Sequence, residues 1–348
     1  PGVAYWFGLS DAVWTAIGLL IGTYLNWLLV AKRLYGYSIV AGNSITIPDF
    51  FSNRFKEKNR IIMSIAAVFI LIFFTVYASS CFVTVGKLFH SLFGIPYQYL
   101  MIGGAVFVVV YTFLGGFLAE STSDFMQGVV MIVALGLVLT TGLVYAGGPA
   151  AVLSNLNKIP GFLDFFGIAS PTVKDGVQQL SASGEPLFGA ANNYGFLTIL
   201  STLSWGLGYF GVPQVLLRFM AIRRKNEIKK SRRIATIWCA ISLFAAVLIG
   251  LIGRAIFPAD LLTTSSAESI FITMSSHLLP TIIAGLAMAG ILAATISSSD
   301  SYLLISASAF SKNIFQGLIK KNATDKQVMM VSRIVLMTIA LIGILIAL

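Results

Sequence analysis

The chain has 348 residues, of which 57% are hydrophobic and only 10% are charged, and its mean hydropathy is +0.89. Soluble domains carry about a quarter charged residues, so this composition excludes a water-soluble globular protein. The net charge of +10 would suit a nucleic-acid binder. The basic runs, however, lie beside apolar runs and lack interleaved aromatic residues, so we interpret the charge as a membrane-topology signal and expect no nucleic-acid partner.

Apolar runs recur along the chain at the length that a helix needs to cross a bilayer, about 20 residues. They predict a half-helix at 1–8 and spans near 10–30, 61–87, 98–117, 125–146, 194–217, 234–256, 280–310 and 328–348. Helices satisfy their own backbone groups in lipid. The sequence therefore predicts an all-α integral membrane protein. Because both ends of the sequence lie inside apolar runs, we expect a fragment truncated at both ends.

The basic residues favour one orientation in the membrane. Most of the 23 Lys and Arg residues lie at 32–60, 218–233 and 312–333, and alternating spans place these segments on one side, which the positive-inside rule makes cytoplasmic. The loops 147–193 and 257–279 then face outward, and their apolar pieces predict short surface helices. In the inner loop 41–60, a turn at Asn43 and Pro48 precedes an amphipathic stretch that we expect to lie on lipid headgroups.

The span 194–217 contains WGLGYFGVP at 205–213, which disfavours a continuous helix. Glycine and proline weaken helix interiors, and broken backbone at membrane depth is tolerated where it lines a cavity or packs in protein. Discontinuous helices bind solutes and ions in secondary transporters. The alternative is that the glycines only permit close helix packing.

Three ring-bearing residues recur every four positions in this span: Trp205, Tyr209 and Pro213. On a roughly helical path they would share one face. An indole, a phenol and a proline ring suit a small zwitterion with an apolar ring or chain, because aromatic side chains combine apolar area with one directed hydrogen bond. Trp and Tyr also mark membrane interfaces, but these residues lie in mid-span.

A serine-rich stripe lies in the span 280–310. Ala294, Ser297, Ser298 and Ser301 follow the spacing of one helix face. Hydroxyl and carbonyl oxygens can hold a hard cation such as Na⁺. Serines in membrane helices also bond back to their own helix or bridge to a neighbour, which is the alternative.

Two acidic residues lie at membrane depth or near it. Asp300 follows the serines, and Asp124 lies where the span 125–146 begins. An ionisable residue inside a span is by default a functional hypothesis. We expect both carboxylates in the inner half of the membrane, where they could share a cation or a proton, although solvation at the interface would also explain Asp124.

Five segments together resemble the sodium:solute symporter family, and within it most closely the bacterial sodium/proline symporters. The segments are LNWLLVAKRL at 25–34, TIPDFFSNRF at 46–55, YTFLGGFLAESTSDFMQ at 111–127, WGLGYFGVPQVLLRFM at 205–220 and AGILAATISSSD at 289–300. The resemblance is specific because these long segments occur in the same order as in the family and extend along nearly the whole chain.

The resemblance implies an inverted-repeat, leucine-transporter-like helical bundle with broken helices, forming a single transmembrane transporter domain. Residues 1–146 would form most of the first repeat, 147–193 an extracellular loop and 194–348 most of the second repeat. The half-helix 1–8 would be the outer part of the first broken helix, with the span 194–217 as its counterpart.

The resemblance also implies site residues. The carbonyl of Ala294 and the hydroxyls of Ser297 and Ser298 would bind Na⁺. Tyr111, Trp205, Tyr209 and Pro213 would bind the solute. Asp124, Asp300 and Ser301 would form a second cation or proton site. Two departures leave the ion number open, because Ser298 replaces a threonine of the proline symporters and Asp300 replaces a serine of relatives that have the second site.

The implied function is sodium-coupled import of L-proline by alternating access across the cell membrane, with no requirement for an oligomer. Alternatives are a sodium symporter for another amino acid, a carboxylate or pantothenate, and the membrane domain of a transporter-like sensor. An enzyme is not expected, since the spans contain no His-Glu metal motif and no GxSxG elbow.

Overall fold

The computed structural model describes residues 1–348, with the exception of the side chain of Ala119. Its helices are α1 (Gly2–Phe7), α2 (Leu9–Leu25), α3 (Lys32–Val40), α4 (Ile47–Arg54), α5 (Ile61–Phe93), α6 (Tyr97–Tyr145), α7 (Pro149–Leu156), α8 (Phe196–Leu203), α9 (Pro213–Met220), α10 (Glu227–Ile256), α11 (Thr264–Ala267), α12 (Ile270–Leu278), α13 (Thr281–Ser308) and α14 (Asp325–Ala347). The strands are β1 (Gly167–Ile168), β2 (Val173–Lys174), β3 (Val177–Gln178) and β4 (Asn192–Asn193).

Three segments have other helical geometries. Asn26–Ala31 and Ala309–Ile319 are π-helical and extend α2 and α13, respectively, while Ser204–Phe210 is a 3-10 helix that follows α8. Among the described residues, seven helices are long and apolar enough to cross a membrane. The predicted all-α membrane architecture is confirmed.

The span predicted at 10–30 is longer than expected, because helical structure runs on to Val40. The spans predicted at 98–117 and 125–146 follow each other closely as Tyr97–Leu118 and Glu120–Tyr145. Gly116 interrupts the helical path with φ 59, a left-handed conformation that glycine adopts without steric cost. The second of these spans therefore starts five residues earlier than expected, and it includes Glu120.

The structure divides into two compact units, each built from three stretches of chain. The first unit comprises Pro1–Trp27, Val130–Phe210 and Lys229–Gly290. Its core packs Tyr5 and Trp6 of α1 with Phe162, Ile249 and Ile270, all at most 4% exposed. The half-helix predicted at 1–8 is therefore present and buried.

The span predicted at 194–217 is broken, as expected. It changes from α8 to the 3-10 segment, leaves helical geometry at Gly211 and Val212, and resumes with Pro213 in the first turn of α9. Within the first unit, Gly206 packs backbone against backbone with Gly18 and Gly22 of α2. A Cβ on Gly206 would collide with Gly18, and a Cβ on Gly22 would collide with Gly206. The packing alternative therefore explains Gly206, while the break itself lies at Gly211–Pro213.

The outer loop of the first unit contains short strands that the sequence analysis did not predict. Strand β1 pairs with β4 and β2 with β3, both antiparallel. Asp175 and Gly176 connect β2 to β3 with φ 53 and 80, and Asp-Gly is a strong hairpin signal that was overlooked. A surface helix is present at Ile270–Leu278, but the apolar piece 161–169 is not helical, so that expectation was wrong there.

The second unit comprises Leu28–Val129, Gly211–Ile228 and Ile291–Leu348. Its core joins α5, α6, α13 and α14 through Phe82, Met101, Leu303 and Leu336, each at most 3% exposed. The inner loop forms α4, which begins at the N-cap Thr46. The Thr46 hydroxyl also shares hydrogen bonds of 2.8 and 3.1 Å with the Asn313 amide, so one face of α4 is attached to protein.

Candidate functional site

Two predicted solute-binding residues, Trp205 and Tyr209, lie on the 3-10 segment of the first unit. A 3-10 helix has three residues per turn, so residues four apart point in different directions. The shared face expected from α-helical spacing is therefore wrong for this pair. Trp205 is 68% exposed and Tyr209 is half-buried.

Asn26 holds the 3-10 segment in place. Its Nδ2 donates a 2.6 Å hydrogen bond to the carbonyl of Tyr209, and its side chain is 1% exposed at the start of a π-helical segment. π-Helical turns are frequent at functional sites. This contact of Asn26 was not predicted, although an asparagine inside an apolar run commonly bonds to a neighbouring helix.

Tyr194 hydrogen-bonds the start of the broken span to α2. The Tyr194 hydroxyl donates to the Asp11 carboxylate at 2.6 Å and lies 2.7 Å from the Thr202 hydroxyl. Burial, together with the hydrogen bond to Asp11, raises the pKa of Tyr194 to about 12. This tyrosine therefore stays protonated and remains a donor at physiological pH.

The other two predicted solute-binding residues lie in the second unit. Pro213 borders a small, mainly apolar cavity of about 10 Å³ together with Ile47 and Ile305, and this volume barely holds one water molecule. The hydroxyl of Tyr111 is hydrogen-bonded to Ser123, the neighbour of Asp124. The four predicted solute-binding residues are thus divided between the units, two in each.

The predicted sodium ligands come together on α13 of the second unit. The hydroxyls of Ser297 and Ser298 both donate to the carbonyl of Ala294, each at 3.1 Å. All three residues are half-buried. Three neutral oxygens therefore meet at one point of the helix, in the back-bonded arrangement of the packing alternative. A hydroxyl in this arrangement can turn its lone pairs toward a cation.

The second predicted site is also assembled within the second unit. Arg218 donates from Nη2 to Asp124 Oδ2 at 2.5 Å and to the Ser301 hydroxyl at 3.2 Å. Asp124 and Ser301 therefore share one hydrogen-bond partner, Arg218. Asp300 is fully buried, and its Oδ1 accepts a 2.7 Å hydrogen bond from the backbone N–H of Ser301.

Glu120 completes this group of charges. Its Oε1 accepts a 2.5 Å hydrogen bond from the Ser301 hydroxyl and lies 3.6 Å from Arg218 Nη2. We name Glu120, Asp124, Arg218, Asp300 and Ser301 the acidic cluster. Glu120 was not predicted as a site residue, because its position was expected to lie in a connection between spans. Arg218 was expected only to contribute to the membrane topology.

Each carboxylate of the acidic cluster has one buried oxygen without a hydrogen-bond partner among the described residues: Glu120 Oε2, Asp124 Oδ1 and Asp300 Oδ2. Buried charges normally require pairing. Nonetheless, within the described part of the chain no three His, Cys, Asp or Glu side chains are arranged to hold a metal ion. In this cluster the carboxylates of Glu120 and Asp124 pair with one guanidinium, and they do not form a carboxylate cage.

Comparison with solved structures identifies a protein of similar fold. It is described as the substrate-bound outward-open state of a Na⁺-coupled sialic acid symporter, with a novel Na⁺ site. The likeness has a TM-score of 0.73 at 17% sequence identity and covers 97% of this chain and 71% of the other. This confirms the predicted fold class, the leucine-transporter-like bundle with inverted repeats.

Characterised relatives are similar along the whole chain. A sodium/proline symporter of Staphylococcus aureus is 38% identical over 350 residues, covering 100% of this chain and 63% of the relative, and the protein of strain USA300 / TCH1516 gives the same values. The chain spans 63% of the length of these relatives.

A family model matches residues 1–348, and its description is the sodium:solute symporter family. Together with the seven apolar helices, this match confirms a multi-pass protein of the cell membrane. The names of this family and of the relatives describe symporters, not enzymes. The chain belongs to the sodium:solute symporter family.

Proposed function

We propose that this chain is the transport core of a symporter that uses a sodium gradient to import L-proline by alternating access. The observation that carries the sodium part is the meeting of three neutral oxygens at Ala294, Ser297 and Ser298. The relatives named sodium/proline symporter, 38% identical to this chain, support the choice of solute.

The proposed primary sodium site consists of the Ala294 carbonyl and the Ser297 and Ser298 hydroxyls. Sodium is a hard cation that prefers oxygen ligands, and neutral ligands add no fixed charge to the membrane interior. Binding there would favour the state that receives solute, because a ligand shifts a conformational equilibrium toward the state it binds better. Ion and solute would then promote each other's binding.

We propose that Tyr111, Trp205, Tyr209 and Pro213 bind the solute. The exposed indole of Trp205 would cover the apolar ring of the solute, and the Tyr209 phenol would supply a directed hydrogen bond. Trp205→Phe should therefore weaken proline binding less than Trp205→Ala does. Asp124, Asp300 and Ser301 form the proposed second cation site.

We also propose that residues 1–146 and 194–348 provide most of the two inverted repeats and that 147–193 is the extracellular loop. One copy of the chain would suffice for transport. The basic segments would set the topology and would not bind nucleic acid.

The test is uptake of labelled proline by the full-length protein in proteoliposomes. We expect accumulation when an inward sodium gradient is imposed and none when potassium replaces sodium. Equal uptake in potassium would contradict sodium coupling. Sodium-driven uptake of another solute, with none of proline, would contradict only the choice of solute.

A further inference from the structure

Resting on the sodium coupling proposed above, we propose that Arg218 is a tethered cation that competes with sodium for the oxygens of Asp124, Glu120 and Ser301. In this role Arg218 sets the sodium affinity of the protein. The evidence lies entirely within the second unit.

Arg218 reaches from an exposed position into a buried one. Its side chain is 47% exposed, whereas those of Glu120 and Asp124 are 6% and 11% exposed. The guanidinium therefore covers the acidic cluster at its accessible side. An ion that enters or leaves on that side must pass this positive charge.

The guanidinium occupies the oxygens that a cation would need. One nitrogen, Nη2, lies 2.5 Å from Asp124 Oδ2, 3.2 Å from Ser301 Oγ and 3.6 Å from Glu120 Oε1. A sodium ion bound to the same oxygens would lie within a few ångströms of the guanidinium, and like charges at that distance repel strongly at low dielectric. The Arg218 guanidinium at these oxygens therefore weakens the binding of sodium, and bound sodium displaces the guanidinium.

Arg218 does not satisfy all the oxygens of the acidic cluster. The carboxylates of Glu120 and Asp124 face one guanidinium. Each of them, like the carboxylate of Asp300, has a buried oxygen without a hydrogen-bond partner among the residues that the structure describes. Asp300 is fully buried beside Ser301, whose hydroxyl donates to Glu120. With Arg218 in place these oxygens therefore still lack a partner, and they remain open to a free cation.

The position of Arg218 in the chain connects the competition to the broken span. Arg218 lies on α9, an eight-residue helix that begins at Pro213, directly after the non-helical Gly211 and Val212. A short helix beside a non-helical segment can shift with little loss of backbone hydrogen bonding. Such a shift would change the distance between the Arg218 guanidinium and Asp124. The sodium affinity would change with that distance.

The test measures binding of radioactive sodium to the purified full-length protein, independently of transport. We expect Arg218→Gln to lower the half-saturating sodium concentration about fivefold or more, the usual lower range for coupled sites. Arg218→Lys should lower it by a smaller factor, because a point charge keeps the repulsion but loses the fork geometry. Arg223→Gln is the matched control, since Arg223 pairs with Glu227 in the same basic segment at an exposed position.

Unchanged or weaker sodium binding in Arg218→Gln would overturn the inference, and the same holds for Arg218→Lys if the glutamine variant does not fold. A gain in affinity that persists when Asp124→Asn is added would also overturn it, because competition for that carboxylate would then not be the cause. Absence of saturable sodium binding in the unaltered protein would overturn the proposed sodium coupling as well. Sodium binding that is intact but insensitive to Arg218 would overturn the inference alone.

Discussion

Two adjacent stretches of α13 offer oxygens to a cation in different ways. At Ala294–Ser298 the oxygens are neutral, and both serine hydroxyls already donate to a carbonyl of their own helix. Less than one turn further on, Asp300 has a buried carboxylate with one oxygen lacking a partner among the described residues.

The difference shows how the two sites tolerate the absence of an ion. Back-bonded hydroxyls remain hydrogen-bonded without one, so the serine site can be empty at small cost. Buried carboxylates without sufficient positive charge destabilise the fold. We therefore expect substitutions at the serines to change sodium binding and substitutions in the acidic cluster to change stability as well.

The largest expected effect is that of the double substitution Ser297→Ala and Ser298→Ala on sodium binding. Loss of two of the three proposed ligands should weaken binding about a hundredfold, at roughly tenfold or 1.4 kcal/mol per ligand. The measurement is the half-saturating sodium concentration. The melting temperature should change little, because the hydroxyls bond only to their own helix.

Ser299→Ala is the matched control for this prediction. Ser299 is fully buried and donates to the carbonyls of Thr295 and Ile296, but it is not among the proposed ligands. Sodium binding that weakens equally in the control and in the double variant would favour the packing role of the serines.

The next effect is a gain of stability in Asp300→Ser. Removing a buried carboxylate with an unpartnered oxygen should stabilise the sodium-free protein by about 2 kcal/mol. The melting temperature should then rise by several degrees. Asp164→Ser at an exposed loop position is the control, and a lower melting temperature for Asp300→Ser would show that the Asp300 charge is already compensated.

The smallest effect is a loss of stability in Ser301→Ala. Glu120 Oε1 would lose the hydroxyl that donates to it at 2.5 Å, which should cost about 1 kcal/mol. Thermal unfolding in sodium-free buffer measures this change. Opposite signs for Asp300→Ser and Ser301→Ala would confirm that the cluster has more negative charge than donors, whereas equal signs would contradict it.

In the broken span, the local sequence predicted the interruption of the helix but not the geometry of the turn before it. Gly211 and Pro213 disfavour helix through their own backbones, so the interruption was predictable from the residues alone. The geometry of the preceding turn was not. Asn26 and the close approach of α2 to Gly206 surround a 3-10 segment, and its three-residue repeat separated Trp205 and Tyr209, which the four-residue spacing had placed together.

The sequence by itself determined the membrane spans, the break at Gly211–Pro213 and the serine stripe, because hydropathy and backbone preference act between residues close in the chain. The tertiary structure decided the acidic cluster. Its contacts join residues 94 positions apart, Arg218 with Asp124, and 181 positions apart, Ser301 with Glu120. Which distant charges pair depends on which helix faces meet, and that is settled only when the helices pack.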